Sequence, residues 1–514
     1  MIIVYHQNNK IVKVGAKTEN VFSENKSIAK NLIEIAEQFP QDLIIWSHIS
    51  LESHLNVEKM DEIFHQEKIM ASYNLSPNKF ISNNVGYIDS SPFLKINKEV
   101  SYPTWMMSSN VGGINASILL LLKNQIKTDE NFDYFLNSIA KLGMSLGLLC
   151  YSNPKLLKNC TEIFPNYKDD KYLLFRFVKQ HYKTRWIFLL FLDLFLYKRT
   201  LAVFPFLMCF FYKKRNLKTD TFYEIKTESK NKVIKEGTLD VIIPTIGRKK
   251  YLYDTLKDLS LQTFLPDNIV VVEQNPIQDS ITELNYILNE DWPFQIKHIF
   301  THQTGACNAR NLAMREVKSE WVFMADDDIR IEPDFLEKTF RVIEKEGFEQ
   351  ITLSCYQPDY PSHKKIKQKF QWGSFGSGCS IVKAENIKML SYNMSFEFGY
   401  GEDSDFGMQL RNLGHDILYS PKPEILHLKA PIGGFRTKHI LAWADEKIQP
   451  KPSPTVMLNK VLNFTQEQIE GYRTVLFFKY YKSQKIKNPL RYYSSYKKQW
   501  SKSQYWANKL NNKK

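Results

Sequence analysis

The feature that most constrains this chain is an alternation of apolar strands and helices that begins at Leu239. The runs LDVIIP, NIVVVEQN, QIKHIFT and EWVFMA have the length and β-branched character of buried strands, and helical patterns separate several of them. Alternating strands and helices form a mostly parallel sheet, which binds ligands at the carboxyl ends of its strands. We therefore predict a Rossmann-like mixed α/β sheet flanked by helices over residues 236–440.

Three adjacent carboxylates, Asp326, Asp327 and Asp328, follow the strand WVFMA. Their charges repel one another, so a bound cation would stabilise them. Hard oxygen ligands suit Mg²⁺ or Mn²⁺, and such an ion can bridge phosphate oxygens. The alternative is an acidic loop before the helix that starts near Pro333, because negative charge is favourable at a helix N-terminus.

A second acidic group, Glu402 and Asp403 in GEDSDFG, precedes a helix with an apolar face. A carboxylate in such a position can act as a general base when its geometry and pKa suit the task. The alternative is an acidic N-terminal cap of the helix.

Five motifs in this region resemble, in order, the nucleotide-sugar half of the family 2 glycosyltransferases. They are DVIIPTIGR, QTFLPDNIVVVEQN, GACNARNLAM, FMADDDIRIEPDFL and GYGEDSDFGMQLRNLG, spread over about 200 of the 514 residues. The resemblance implies a GT-A fold and a nucleotide-diphosphate sugar donor. It also implies a divalent metal cofactor, Mn²⁺ or Mg²⁺, and transfer with inversion to a hydroxyl acceptor.

The resemblance also implies which side chains bind the donor. These are Pro244, Thr245, Arg248, Glu273, Arg310, Asn311, Asp326 and Asp327. Glu273 stands where the family usually has Asp, which leaves the nucleotide open. Asp326 and Asp328 correspond to the outer carboxylates of the family's DxD motif and would hold the metal, while Asp327 is the middle residue and would contact the sugar.

For the chemistry, the resemblance makes Asp403 the catalytic base, with Glu402 binding the acceptor or sharing that role. His427, in EILHLKAPIGGFR, is expected to be the third metal ligand. The alternative for His427 is an ordinary core or surface histidine. Gly433, Gly434 and Arg436 are predicted to form a loop that closes over phosphates.

The glycine-rich segment WGSFGSGCSIV resembles the family's strand below the donor sugar. In it, Trp372 is a candidate for stacking on an acceptor ring. A plain turn between strands is the alternative.

The N-terminal part of the chain has a weak likeness to the second part. DLIIWSHISLESHLN parallels EWVFMADDDIRIEPDFL, and FDYFLNSIAKLGMSLGLLCYSNPKLL parallels SDFGMQLRNLGHDILYSPKPEIL. In this alignment Trp46, Ser47 and His48 replace the carboxylate cluster, and Asn131 and Phe132 replace the second acidic pair. We interpret the region as a degenerate, non-catalytic GT-A-like domain that binds acceptor or dimerises. A chance likeness is the alternative.

These patterns divide the chain into four predicted regions. They are an N-terminal α/β domain (1–165), an apolar and basic helical segment with a linker (166–235), the catalytic domain (236–440) and a basic, aromatic helical tail (441–514).

Basic charge is concentrated in two aromatic-rich stretches. The net charge is +14, yet residues 471–514 hold twelve Lys or Arg and no acid, and residues 171–218 hold eleven and one acid, Asp193. The rest of the chain is therefore net acidic, which argues against nucleic-acid binding. Basic and aromatic residues together are typical of contact with an anionic membrane surface, and a solvated helical tail is the alternative.

Residues 186–212 are the most apolar stretch, but charged residues and Pro205 interrupt it. Each half would be about 18 Å long as a helix, which is short for a bilayer core. Interfacial or hairpin helices on a membrane, a buried helical linker and a true span all stay open.

The remaining signals concern compartment. The six Cys lie without CxxC or CxxH spacing, which excludes a recognisable zinc or redox motif and indicates reduced thiols. The run MIIVYHQNNKIVKV predicts a strand rather than a signal peptide. We expect a cytoplasmic protein associated peripherally with the inner face of the cell membrane.

The predicted function is inverting glycosyl transfer to a glycan or lipid-linked acceptor, in surface glycan or polysaccharide biosynthesis. The sequence leaves two alternative functions open. A sugar-nucleotide nucleotidyltransferase would need a longer basic glycine-rich loop than TIGRKK after the first strand. A non-catalytic glycan-binding protein would not need both acidic clusters.

Overall fold

The computed structural model describes residues 1–15, 22–23, 25–162, 164–431 and 439–512. These residues form two compact units, Met1–Asn231 with Thr465–Lys479 and Lys232–Phe464 with Tyr480–Lys514. The domain boundaries expected from the sequence stay predictions.

The first unit contains a seven-stranded sheet and helices that cover it. Its strands are β1 Ile2–Gln7, β2 Lys10–Val14, β3 Leu43–His48, β4 Ile69–Tyr73, β5 Tyr102–Pro103, β6 Val111–Asn115 and β7 Leu149–Ser152. Its helices before residue 231 are α1 Ile28–Gln38, α2 Met60–Ile63, α3 Ala116–Leu122, α4 Phe132–Gly143, α5 Lys171–His181, α6 Arg185–Lys198 and α7 Val203–Met208.

The strand order of the first sheet is β2-β1-β3-β6-β4-β7-β5. Strand β6 runs antiparallel to both of its neighbours, whereas β1 with β3 and β4 with β7 are parallel pairs. The amphipathic helices α1 and α4 bury their apolar faces in the same core as Trp46 of β3. Helices α5 and α6 extend that core through residues such as Phe175 and Leu190.

Helices α6 and α7 occupy the apolar stretch around residue 200. In the part of the chain that the structure describes, no helix combines the length and the apolar character needed to cross a membrane.

The second unit contains the other sheet. Its strands are β8 Leu239–Ile246, β9 Asn268–Gln274, β10 Gln295–Thr301, β11 Trp321–Ala325, β12 Ile329–Arg330, β13 Gln350–Tyr356, β14 Phe370–Gln371, β15 Cys379–Lys383 and β16 Leu418–His427. The helices that follow residue 231 are α8 Lys249–Ser260, α9 Tyr286–Asn289, α10 Ala306–Met314, α11 Phe335–Glu346, α12 Ala384–Ile387, α13 Glu402–Asn412, α14 Pro454–Asn463, α15 Gln466–Ser483 and α16 Pro489–Asn511. Residues of α15 up to Lys479 belong to the first unit.

The strand order of the second sheet is β10-β9-β8-β11-β15-β13-β16-β12, and β14 pairs with β16. Strands β10, β9, β8 and β11 are parallel, and β15 is antiparallel to its neighbours. The continuous apolar runs in β8, β9 and β11 are buried, as expected for a parallel sheet covered on both faces. The prediction of a mixed, Rossmann-like α/β sheet flanked by helices is confirmed.

The two sheets share an order of elements. In chain order, β1, β3, β4, β5, β6, α4 and β7 correspond to β8, β11, β13, β14, β15, α13 and β16, with the same parallel and antiparallel pairings. The first sheet lacks counterparts of the parallel strands β9 and β10, and an antiparallel strand, β2, lies at that edge. The first unit is therefore a shortened version of the second, as the internal likeness predicted.

The structure corrects one part of that likeness. Helix α4 begins at Phe132 with Asn131 as its N-cap, and α13 begins at Glu402. The counterpart of Asp403 is therefore Asp133, so the sequence alignment was wrong by one residue. It was wrong because the amino-acid sequence alone does not show at which residue each helix begins.

Candidate active site

The carboxyl ends of β8 and β11 open into a cavity of about 760 Å³ in the second unit. All five residues of β11 are buried, so the chain reaches the surface of the sheet only at the residues that follow it. The predicted site residues that line this cavity are Pro244, Thr245, Arg248, Arg310, Asp326, Asp327, Asp328, Glu402, Asp403 and His427.

Asp326, Asp328 and His427 form a group in which the possible metal-binding atoms all lie within 4.8 Å of one another. The short strand β12 pairs with β16 and places Ile329 opposite His427, which brings the histidine beside Asp328. His427 Nε2 lies 3.1 Å from Asp328 Oδ1. Asp328 and His427 are about a hundred residues apart in the sequence, and the pairing of β12 with β16 brings them together.

The hydrogen bonds within the group favour the ionised form of Asp328. Burial opposes the charge on Asp328, but hydrogen bonds from His427 and from the Ala430 amide lower the pKa of Asp328 to about 2. The hydrogen bond to Asp328 in turn raises the pKa of His427. Two carboxylates and one imidazole are a donor set that fits a divalent cation such as Mn²⁺ or Mg²⁺.

Asp327 faces a different set of partners. Its carboxylate accepts hydrogen bonds from Thr245 Oγ1 at 2.7 Å and from Arg248 Nη1 at 2.6 Å, and it is 2% exposed. Burial raises the pKa of Asp327 to about 6 in spite of Arg248. The middle carboxylate thus joins the end of β11 to the end of β8 and to the residue before α8.

Arg310 lies on α10 and is buried beside the acidic cluster. Its Nη2 donates to Asp326 Oδ1 at 3.0 Å, and its guanidinium lies 5.7 Å from the centre of the Tyr392 ring. Its Nε has no hydrogen-bond partner among the described residues. A buried guanidinium with an unused donor can take an additional anionic or hydroxyl ligand.

Asp403 is held by a chain of hydroxyl groups. Ser377 Oγ donates a hydrogen bond to Asp403 Oδ1, and Tyr392 Oη donates to Ser377 Oγ at 2.7 Å. Burial raises the pKa of Asp403, and Arg310 and Ser377 oppose that shift. The carboxylate is therefore oriented and has a higher proton affinity than a carboxylate in water.

Glu402 precedes Asp403 at the start of α13 and also lines the cavity. Burial, with the neighbouring charge of Asp403, raises the pKa of Glu402 to about 7. Two adjacent carboxyl groups with unequal partners are a common arrangement at sites that move protons.

The N-terminus of α10 forms another wall of the cavity. Gly305 has φ +142° and precedes the helix, where a side chain would overlap the carboxylate of Glu397. That carboxylate accepts hydrogen bonds from the backbone N–H groups of Cys307 at 3.2 Å and Asn308 at 2.9 Å. Glu397 therefore fixes the helix that carries Arg310.

Three of the predicted site residues lie outside the cavity lining. Glu273 accepts hydrogen bonds from Thr282 and the Glu283 amide and contacts His298, and these contacts outweigh burial and lower its pKa. Its neighbour Gln274 lines the cavity instead.

The other two have structural contacts. Asn311 exchanges hydrogen bonds with the backbone of Tyr392. The ring of Trp372 packs edge-on against Tyr419, 5.6 Å between ring centres. The loop predicted from Gly433, Gly434 and Arg436 lies outside the described residues.

Several cavity residues were not predicted from the sequence. They are Gln274, Ser377, Glu397 and the aromatic residues Phe396, Phe398 and Tyr400. Ser377 lies between two glycines immediately before β15. The two glycines are a sequence signal that the backbone passes close to another part of the protein at this point. Gln274 is the last residue of β9, and the other four reach the cavity through the packing of the segment before α13.

Residues 240–398 match the family model of glycosyl transferase family 2. The resemblance to family 2 glycosyltransferases is therefore confirmed for these residues, which contain four of the five motifs. The fifth motif, GYGEDSDFGMQLRNLG, begins at Gly399, just beyond them. A curated relative, described as an uncharacterized glycosyltransferase of Haemophilus influenzae, is 29% identical over 107 residues. That match covers 21% of this chain, and the chain spans only 35% of the length of the relative.

Two solved structures have a distant likeness to the chain. One is S. aureus TarS 1-349 in complex with UDP-GlcNAc, with 16% identity, a TM-score of 0.34, and coverage of 46% of this chain and 70% of that one. The other is GalNAc-T7 with UDP, GalNAc and Mn²⁺, with 12% identity, a TM-score of 0.30, and coverage of 37% and 44%.

Proposed function

We propose that this protein is an inverting glycosyltransferase that moves a sugar from a nucleotide-diphosphate donor to a hydroxyl group. The observation that carries the proposal is that the group Asp326, Asp328 and His427 and the oriented carboxylate of Asp403 line one cavity. This cavity lies in the unit that contains the family 2 match. The two halves of the reaction, departure of a diphosphate and removal of a hydroxyl proton, need these two kinds of group.

Asp326, Asp328 and His427 are the residues that would hold a divalent metal, and their donor set fits one. When bound there, such an ion supplies positive charge for the departing diphosphate. Arg310 and Arg248 are two of the cations that line the cavity, and we assign them to the phosphates and donor sugar. Pro244 and Thr245, at the end of β8, are assigned to the donor nucleotide.

Asp403 is the proposed base. In the transfer step its carboxylate takes the proton of the acceptor hydroxyl as that oxygen bonds to the anomeric carbon and the diphosphate leaves with its bonding electrons. The hydrogen bond from Ser377 holds the carboxylate in one orientation. Its raised pKa favours uptake of the proton, and the nearby charge of Arg310 favours its ionised form.

Glu402 and the aromatic wall are proposed to bind the acceptor. Phe398 and Tyr400 line the same cavity as Glu402, with exposed fractions of 37% and 60%, and the buried Phe396 lines it as well. Sugar rings pack on aromatic faces, while carboxylates accept hydrogen bonds from sugar hydroxyls. This wall takes the place that the sequence suggested for Trp372.

The acceptor class that we propose is a glycan or lipid-linked precursor of a surface polysaccharide, reached at the cytoplasmic face of the membrane. The support is the charge distribution. Residues 471–514 contain twelve basic and no acidic residues, interspersed with aromatic ones. Such a composition is attracted to anionic lipid headgroups.

The test is metal-dependent donor hydrolysis and transfer by the full chain with a panel of nucleotide sugars and glycan acceptors. We expect one donor to be turned over with Mn²⁺ or Mg²⁺ and turnover to be lost in Asp328→Ala. Asp403→Asn should bind the donor but lose transfer by about 10³-fold, as expected for removal of a general base.

The chain offers a matched control for the second variant. Asp133 occupies the position of Asp403 in the first unit and also accepts hydrogen bonds from a serine, Ser109. We expect Asp133→Asn to leave transfer unchanged. Absence of binding and turnover with every donor would contradict the proposal and favour a non-catalytic glycan-binding protein.

A further inference from the structure

The first unit carries an apolar surface that its own fold leaves uncovered. This surface, the hairpin face, comprises the exposed side chains of α6, α7, the turn between them and the 3-10 turn Cys209–Phe211. Its large exposed apolar residues are Phe188, Phe195, Leu196, Leu201, Phe204, Leu207, Met208, Phe210, Phe211 and the adjoining Tyr212. Phe204 is 72% exposed and Phe211 is 82% exposed.

Helix α6 is apolar on two sides. Ile187, Leu190 and Leu194 are spaced as one helical face and are fully buried in the core of the first unit. Phe188, Phe195 and Leu196 lie on another face and are exposed. A helix at the surface of a water-soluble unit normally has polar residues there, so the exposed face needs an apolar or interfacial environment.

Aromatic residues of α6, α7 and the 3-10 turn contact one another. The ring of Phe206 lies 5.5 Å from that of Phe188 and 5.4 Å from that of Phe210. The ring of Phe188 lies 6.0 Å from that of Phe210. These contacts hold part of the hairpin face in place, whereas Phe204 and Phe211 project from it into solvent.

Exposed cations flank this face along the chain, and one of them, Lys198, pairs with the partly buried Glu467 at 3.2 Å. Exposed basic residues lie before α6, at its end and after the 3-10 turn, namely Lys183, Arg185, Lys198, Arg199, Lys213 and Lys214. The one acidic residue between positions 183 and 219 is Asp193. It is buried and accepts a hydrogen bond from Thr474 at 2.5 Å.

We propose that the hairpin face is the surface by which this protein lies on an anionic lipid bilayer, with its aromatic rings at the headgroup boundary and the lysines and arginines on lipid phosphates. The apolar aromatic rings suit the acyl-chain boundary of such a bilayer, and the flanking cations suit its negatively charged headgroups. A second copy of the chain is a poor occupant, because a two-fold interface would place these cations against each other.

The inference rests on the membrane association proposed above and assigns it to one surface. It is independent of the transfer chemistry, because none of these residues lines the cavity of the second unit.

The experiment is co-sedimentation of the full chain with phosphatidylcholine vesicles that contain or lack phosphatidylglycerol. We expect binding to the anionic vesicles only, weakened by salt. Phe204→Ser/Phe211→Ser should reduce the partition coefficient by about tenfold or more, since two largely exposed rings lose their burial in lipid. Donor hydrolysis by this variant should be unchanged, which also shows that it folds.

The matched control is Leu288→Ser/Met389→Ser. These residues are 86% and 89% exposed, lie in the second unit, and should not affect vesicle binding. Equal binding by wild type and Phe204→Ser/Phe211→Ser would overturn the assignment to the hairpin face and leave membrane association standing. Absence of wild-type binding would overturn both. A concentration-dependent dimer that the double variant abolishes, without vesicle binding, would show that a second copy is the occupant.

Discussion

At the scale of single residues, the two carboxyl groups that begin α13 differ in their hydrogen bonds. Asp403 is held by Ser377 and lies near the charge of Arg310, and both oppose the rise in its pKa caused by burial. Glu402 has less compensation, and burial raises its pKa to about 7. This difference is the reason for assigning the base role to Asp403 and the acceptor role to Glu402.

Removing the hydroxyl of Ser377 should therefore change the pH dependence of transfer. In Ser377→Ala, Asp403 loses a hydrogen bond that lowers its pKa, so the acidic limb of the kcat profile should move to higher pH. We expect kcat to fall by roughly tenfold at neutral pH. The pH–rate profile is the measurement, with Ser109→Ala in the first unit as the control. An unshifted acidic limb would show that a group other than Asp403 sets it.

Glu402 should lower the free energy of unfolding at high pH. Its pKa lies above the ordinary value of 4.5, so the folded protein retains a proton that the unfolded chain has released, and stability declines as pH rises from 4.5 to about 7. Glu402→Gln removes that loss. We expect the variant to exceed wild type by on the order of 1 kcal/mol in free energy of unfolding near about pH 8 and to equal it near about pH 4. Urea titration at both pH values measures this, and equal stabilities at the higher pH would contradict it.

At the scale of elements, the segment before β15 must pass directly against the end of β11. Ser377 and Gly378 lie there, and a side chain on Gly378 would overlap the carboxylate of Asp326. The loop thus positions two functional groups at once, the partner of Asp403 and a proposed metal ligand. This close approach explains the glycines that the sequence shows in the segment.

Gly378→Ala should consequently reduce metal-dependent activity more than it reduces the stability of the fold. The added methyl group displaces Asp326, so we expect activity at saturating donor to fall by about 10²-fold and the Mn²⁺ concentration for half-maximal activity to rise. Metal titration of donor hydrolysis measures both effects. Gly15→Ala, where the added atom makes only ordinary contacts of 3.6 Å and 3.7 Å, is the control. Wild-type metal dependence in Gly378→Ala would contradict the placement of Asp326 at the metal.

At the scale of the whole molecule, the two units have the same order of elements but different residues at corresponding positions. In the second unit β11 is followed by three aspartates. In the first unit β3 ends at His48, which is followed by Ile49 and Ser50. The counterpart of Asp403, Asp133, is enclosed by Ser109 and the hydroxyl of Tyr167. We therefore expect only the second unit to respond to metal.

Hydrogen exchange of the full chain tests that expectation. A ligand that binds only the folded state stabilises it by about 2.7 kcal/mol at a hundredfold excess over its Kd. Mn²⁺ should therefore slow exchange of amides in β11, β12 and β16, and it should leave β3 and β6 unchanged. Asp328→Ala should abolish the protection. Protection of the first sheet by Mn²⁺ would show that metal binding is not confined to the proposed site.

The sequence by itself determined the elements of the second unit and most of its site. The apolar runs of β8, β9 and β11 specify strands because they must be buried, and the carboxylates after β11 and before α13 stand at positions defined by those local elements. The charge pattern likewise identified the basic stretches. Such features depend on residues that are neighbours in the sequence, so they can be predicted without knowledge of the tertiary structure.

Only the tertiary structure decided which of these groups meet. His427 joins Asp328 because β12 pairs with β16, and Ser377 reaches Asp403 because the loop before β15 passes the start of α13. The same packing turned Glu273, Asn311 and Trp372 toward other partners. It also left one face of α6 in the core and another exposed, although both are equally apolar in sequence. The physical reason is that each of these outcomes depends on contacts between residues far apart in the chain, which local patterns do not encode.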